Sequence, residues 1–208
     1  MTEEPLDAIT EQDEHDDGVE DLAWPIPMAT IVPLAAAFVA LMVWGFGSDR
    51  VLISIIPFVV LLAVLTVIDL RELRVPNRLL QPAYLLAIPL LPLAATSDWA
   101  ELSLLRALFG ALALGAIYFV IAMIYPPGMG WGDVKLAPLL GAQLALFGWI
   151  PFVRSIIISH FASGIVAVVI LLIGMASRGR IRWRVAFPFA PFMVLGAVAA
   201  LVLEATTA

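Results

Sequence analysis

Seven stretches of about 20 apolar residues divide this chain, and each is long enough to cross the hydrocarbon core of a bilayer. They lie near residues 28–47, 51–70, 79–96, 104–125, 134–150, 155–176 and 186–204. Of the 208 residues, 62% are hydrophobic and 13% are charged, and the mean hydropathy is +1.04. A soluble domain has no interior large enough to hide that surface, so the solvent is lipid. In lipid each backbone polar group must be satisfied within the chain, which apolar runs of this length achieve as helices. The expected fold class is therefore all-α, a polytopic transmembrane helical bundle of about seven spans. Pro33, Pro57, Pro89 and Pro138 fall inside these runs, where neighbouring helices can take up the carbonyls that proline frees. The third run, with Pro82, Pro89 and Pro92, is the most open to kinking.

The net charge of −6 averages two unlike parts. Residues 1–27 hold ten acids and no Lys or Arg; the remainder holds eleven basic residues against seven acids. The first part is too acidic to be a secretory signal peptide. Its composition predicts a disordered, solvating tail, with a docking strip for a basic partner as the sharper alternative. The chain has no cysteine, which excludes a disulfide framework, a thiolate zinc site and a cysteine nucleophile.

Trp24, Trp44, Trp99, Trp131, Trp149 and Trp183 all fall at or near expected span ends, as an interfacial belt requires. Orientation follows from the basic residues of the connections. One set of loops holds Arg71, Arg74, Arg78, Lys135, Arg178, Arg180, Arg182 and Arg184, the other only Arg50, Arg106 and Arg154. The richer side is expected to be cytoplasmic, which places the N-terminus inside and the C-terminus outside. The cluster Arg178, Arg180, Arg182 and Arg184 reads as a topology anchor that contacts anionic lipid heads.

Two acids stand out against this background. Asp69 closes the second run in Thr66-Val67-Ile68-Asp69-Leu70-Arg71, and Asp133 opens the fifth in Gly128-Met129-Gly130-Trp131-Gly132-Asp133-Val134-Lys135-Leu136. An acid beside hydrocarbon is by default a functional-site hypothesis. The expected topology puts both on the cytoplasmic side. Each also has a plain structural explanation: Asp133 as a helix cap, Asp69 as a membrane-boundary charge beside Arg71 or Arg74. Gly128, Gly130 and Gly132 shift the balance, because they remove three side chains next to Asp133 and let another chain approach closely. An extended substrate could pair with such a backbone by strand addition. Lys135 can orient Asp133 or substrate, or can simply snorkel. Asn77, after Pro76, reads first as the N-cap of span three. His160, with Ser159 and Ser163, reads as interhelical polar packing.

These residues carry a family resemblance. Gly130-Trp131-Gly132-Asp133, continued by Val134, Lys135 and Leu136, resembles the GxGD signature of the type IV prepilin peptidases, membrane aspartyl proteases of prokaryotes. Asp69-Leu70-Arg71-Glu72-Leu73-Arg74-Val75-Pro76-Asn77 is similar to that family's first-aspartate segment, with Val75 where Ile is usual. Phe187-Pro188-Phe189-Ala190-Pro191-Phe192 resembles its Pro-Phe-Gly-Pro-Phe element, with Ala190 where Gly is common. The likeness spans roughly residues 51–204. It divides the chain into an acidic cytoplasmic tail (1–27), an extra N-terminal transmembrane helix (28–50) and a six-helix peptidase-like core (51–208).

The resemblance implies an aspartic endopeptidase that removes the basic leader of prepilins or pseudopilins at the cytoplasmic face of the inner membrane. Asp69 and Asp133 would be the catalytic pair, with Gly128, Gly130, Gly132, Lys135 and Asn77 in supporting or substrate-binding roles. Two carboxylates sharing one proton can activate a water and protonate the scissile carbonyl. No metal and no cofactor is then required, and the expected partners are prepilins and membrane lipids, with no nucleic acid. The absence of the cysteine zinc motif and N-methyltransferase region of longer members points to the short form associated with Flp/Tad-like pili. A proton- or cation-coupled transporter, which would carry its acids nearer the bilayer centre, and a non-catalytic pilus-assembly scaffold are the competing readings.

Overall fold

A computed structural model of the chain describes residues 28–72, 77–95, 100–124, 130–176 and 189–207. Among these residues the chain forms seven helices and no strands. They are α1 (Met28–Phe46), α2 (Leu52–Glu72), α3 (Asn77–Ala94), α4 (Ala100–Ile124), α5 (Trp131–Phe147), α6 (Trp149–Ala176) and α7 (Ala190–Thr207). The architecture is an all-helical, multi-pass membrane bundle, as the apolar runs require. The acidic tail, Trp24, Trp99, Trp183 and the arginine cluster lie outside the described residues. Trp44, Trp131 and Trp149 are exposed near helix ends, where their rings can meet the headgroup layer.

Five helices are long and apolar enough to cross a membrane: α1, α2, α4, α6 and α7. The two others are shorter in their apolar part, Leu79–Ala94 in α3 and the 17 residues of α5. The reason is visible in α5. Eleven of its residues are buried, including Asp133 and Gln143, so it faces protein instead of lipid and carries polar groups that a lipid-facing helix of that length could not. The opposite case is α6, with 28 residues and few of them buried.

Small residues set how closely the helices approach. Gly110 of α4 meets Gly141 of α5, where a Cβ on either would overlap the other's carbonyl oxygen. Gly196 of α7 sits in the same way against Ser155 and Ser159 of α6. Such small-on-small contacts give the van der Waals packing that holds helices together in lipid. The central apolar cluster joins α2, α5 and α7 through Leu62, Leu65, Leu136, Leu140, Met193 and Leu201. One buried polar tie crosses it: Gln143 Nε2 donates to Ser54 Oγ at 3.0 Å. Pro138 interrupts the α5 ladder, and the Tyr84 hydroxyl of α3 donates to the nearby Lys135 carbonyl. Peripheral α1 buries only Ile31 and Met42 among its residues and packs on α2 and α7.

The fifth and sixth helices differ from the expected boundaries. The apolar pattern suggests a break near 150–155, whereas α5 stops at Phe147 and α6 starts at Trp149. Gly148 makes this turn with φ 145°, a backbone shape that favours glycine. Apolar residues continue on both sides of it, so hydropathy alone does not mark the corner.

Candidate active site

The C-terminal end of α2 and the N-terminal ends of α5 and α7 converge on one side of the bundle. Asp69 comes from the last turn of α2 and Asp133 from the first turn of α5. Both are buried, at 3% and 6% exposure, and Asp133 lies within electrostatic reach of Asp69.

Burying a carboxylate is costly unless it is hydrogen-bonded. Helix starts offer the donors, because their first N–H groups have no partner inside the helix and sit at the positive end of its dipole. At the start of α7, Phe189 acts as the cap: its carbonyl accepts from the N–H groups of Phe192 and Met193 at 3.0 and 3.2 Å. The next N–H, that of Ala190, donates to the Asp69 carboxylate. Pro191 has no N–H to add. At the start of α5, Gly130 is the cap residue, extended at φ −70° and ψ 140°. Asp133, three residues on, turns back to accept from the Gly130 N–H, which is the return half of a capping box.

Each carboxylate thus gives one oxygen to a helix start. The other oxygens, Asp69 Oδ2 and Asp133 Oδ1, are buried and make no hydrogen bond among the described residues. The helix-cap explanation of Asp133 therefore accounts for half of the group. A cap has no need to bury its second oxygen unmet, and such an orphan in a folded protein asks for another explanation. Chemically, two neighbouring carboxylates with unmet oxygens can hold one water and act as base and acid towards it. Among the described residues no group of three or more His, Asp or Glu side chains gathers as a metal site would need.

The remaining expected site residues are placed as follows. Gly130 is exposed and Gly132 half-buried in the first turn of α5; Gly128 lies outside the described residues. Lys135 is exposed and lines a groove between α3 and α4 with Gln81, Tyr84 and Phe119. Asn77 is the first residue of α3. Arg71 is exposed two residues beyond Asp69, and Arg74 lies outside the described residues. His160 packs its ring between helices, and Ser159 and Ser163 bond to carbonyls of their own helix.

Two groups near the pair escape a reading of the sequence. One is the Ala190 amide: the segment 187–192 stands out in the sequence, but nothing in it ties this amide to Asp69. The other is Tyr118 of α4, buried at 2% exposure with its hydroxyl in the field of Asp133. In sequence it is one hydroxyl in a long apolar run, with nothing to tie it to Asp133.

Comparison with known proteins points to a family. A family model described as the type IV leader peptidase family matches residues 56–172, from early α2 into α6. A prepilin leader peptidase/N-methyltransferase of Pseudomonas putida is 26% identical over 169 residues, 79% of this chain and 55% of the relative. One of Bacillus subtilis is 30% identical over 157 residues, 74% and 57% of the two chains. One of Burkholderia pseudomallei is 29% identical over 174 residues, 81% and 50%. The chain spans about half the length of the curated relatives it matches. No solved structure matches it.

Proposed function

The chain belongs to the type IV leader peptidase family, and from that premise we propose that it is a membrane aspartyl endopeptidase with Asp69 and Asp133 as its catalytic pair. Its substrates are prepilins or pseudopilins, from which it removes a short basic leader at the cytoplasmic face of the inner membrane. The observation that carries this reading is the pair of buried carboxylates, each tethered by one oxygen to a helix-start amide and left unmet at the other.

The chemistry follows from that tethering. One carboxylate, ionised, takes a proton from a water held between the two unmet oxygens. The water oxygen attacks the scissile carbonyl carbon, and the other carboxyl group gives its proton to the carbonyl oxygen. Collapse of the tetrahedral intermediate expels the amine of the new N-terminus, which takes the proton back from the pair. The amides of Ala190 and Gly130 stay fixed throughout, so the carboxylates need not reorganise as charge moves. Gly130, exposed and extended, supports a role in pairing with an unfolded stretch of substrate; Gly128, Gly132, Lys135 and Asn77 are proposed to support that contact.

Both acids stand at helix ends on one side of the bundle, which favours hydrolysis at a membrane face over transport through the bilayer centre. The excess of Arg and Lys on that side supports a cytoplasmic location and a cytoplasmic N-terminus. Residues 51–208 are the proposed peptidase unit, with α1 as an added helix; its shallow burial against α2 and α7 supports that division. A Flp/Tad-like pilus is the proposed system. Co-expression with prepilins of the same genome tests the reading: leader removal is expected with the native chain and lost with Asp133→Ala. Unchanged processing in that variant rejects the catalytic assignment.

A further inference from the structure

Three rings meet beside the carboxylate pair, each from a different element. Tyr118 of α4 lies 5.9 Å from His160 of α6 and 5.9 Å from Phe189, and His160 lies 5.5 Å from Phe189, centroid to centroid. The planes are inclined by 50–63°, the tilted geometry that ring quadrupoles favour at these separations. The helices concerned otherwise pack elsewhere, α4 chiefly on α5 and α6 chiefly on α7. Among the described residues, Tyr118 and His160 bring α4 against α6 at this level.

Two of the rings are also linked to the acids. Phe189 caps α7, and the adjoining Ala190 amide holds Asp69. The Tyr118 hydroxyl stands within the field of Asp133. His160 is fixed in orientation, because its Nδ1 bonds the Ile156 carbonyl at 2.8 Å; a carbonyl only accepts, so Nδ1 carries the proton. A cluster that merely filled the core would sit at its centre. Here His160 is exposed and Phe189 half-buried, so the triangle closes a seam at the edge of the bundle.

We propose that Tyr118, His160 and Phe189 form a positioning element that sets the separation of Asp69 and Asp133. By locking the start of α7 to α4 across α6, the rings fix where the Ala190 amide holds one carboxylate relative to the other. The proposal rests on the reading of the two acids as the catalytic pair. Its importance comes from geometry, since a misplacement of about 1 Å can cost on the order of a hundredfold in rate.

The test reads distance and catalysis separately. The chain has no native cysteine, so a Leu70→Cys/Trp131→Cys double variant, at exposed positions beside the two acids and with both carboxylates and their helix-start bonds kept, can be joined in membranes by a bis-maleimide. In that background Phe189→Leu, Tyr118→Leu and His160→Leu are each expected to slow cross-linking several-fold, whereas Phe189→Tyr restores it. In the cysteine-free chain, the leucine variants are expected to lower kcat for leader cleavage by up to about a hundredfold with KM little changed. His160→Leu lies on the exposed face and keeps the measurement meaningful should a buried variant fail to assemble. Native cross-linking rates in folded His160→Leu and Phe189→Leu proteins overturn the proposal. If cleavage persists in Asp69→Asn, it is the catalytic reading that falls, and the cross-linking result still reports on the rings.

Discussion

Asp69 and Asp133 come from helices that run in opposite senses, and each spends one oxygen on the first amide of a helix start while burying the other unmet. The two tethers differ in kind. Asp133 caps its own helix, whereas Asp69 caps α7, more than a hundred residues further along the chain. The separation of the acids is therefore set by how α2, α5 and α7 pack together.

Replacement of either acid by its amide tests that arrangement directly. Asp69→Asn and Asp133→Asn keep the size of the side chain and an acceptor oxygen for the helix-start amide, so the bundle is expected to unfold at close to its native temperature. Leader cleavage is expected to drop by about a hundred- to ten-thousandfold, the range for loss of a general acid or base. A variant that cleaves at the native rate removes that residue from the mechanism.

The glycine contact between α4 and α5 holds the Asp133 helix in place. Gly141→Ala puts a methyl group into the Gly110 carbonyl, where only backbone movement relieves the clash, so a loss of about 1–3 kcal/mol is expected. Gly164 on exposed α6 has nothing within 4 Å of the same position, and Gly164→Ala is expected to be neutral or slightly stabilising. Denaturant unfolding in mixed micelles measures both. Equal effects would mean that the α4–α5 approach is not as close as described.

Ser54 and Gln143 offer a second stability test. Removing one partner leaves a buried polar group without its bond, so Ser54→Ala is expected to cost about 1 kcal/mol. A double-mutant cycle with Gln143→Leu is expected to give a coupling of about 0.6 kcal/mol, the average for interhelical bonds in lipid. Additive single effects would show that the two side chains do not interact.

The orientation follows from charge and can be read by labelling. In a chain without native cysteine, Arg71→Cys and Trp131→Cys are expected to react with an impermeant maleimide from the cytoplasmic side. Asp49→Cys and Ile150→Cys, exposed at the opposite helix ends, are expected to react only from outside. Labelling of 71 and 131 from opposite faces would separate the acids and end the proposed chemistry.

The sequence by itself determined the helical class, the number of helices and the end of the bundle at which the two acids lie. Those features depend on local properties: the length of an apolar run, the solvent it implies, and the parity of crossings between Asp69 and Asp133. Only the tertiary structure decided that α5 is a sheltered central helix, that the chain turns at Gly148, and that Ala190 and Tyr118 attend the pair. These depend on which surfaces of distant helices meet. A run of Leu, Ala and Val allows many such pairings, and the choice falls to a few small contacts such as Gly110 with Gly141, where shape, which hydropathy does not record, sets the fit.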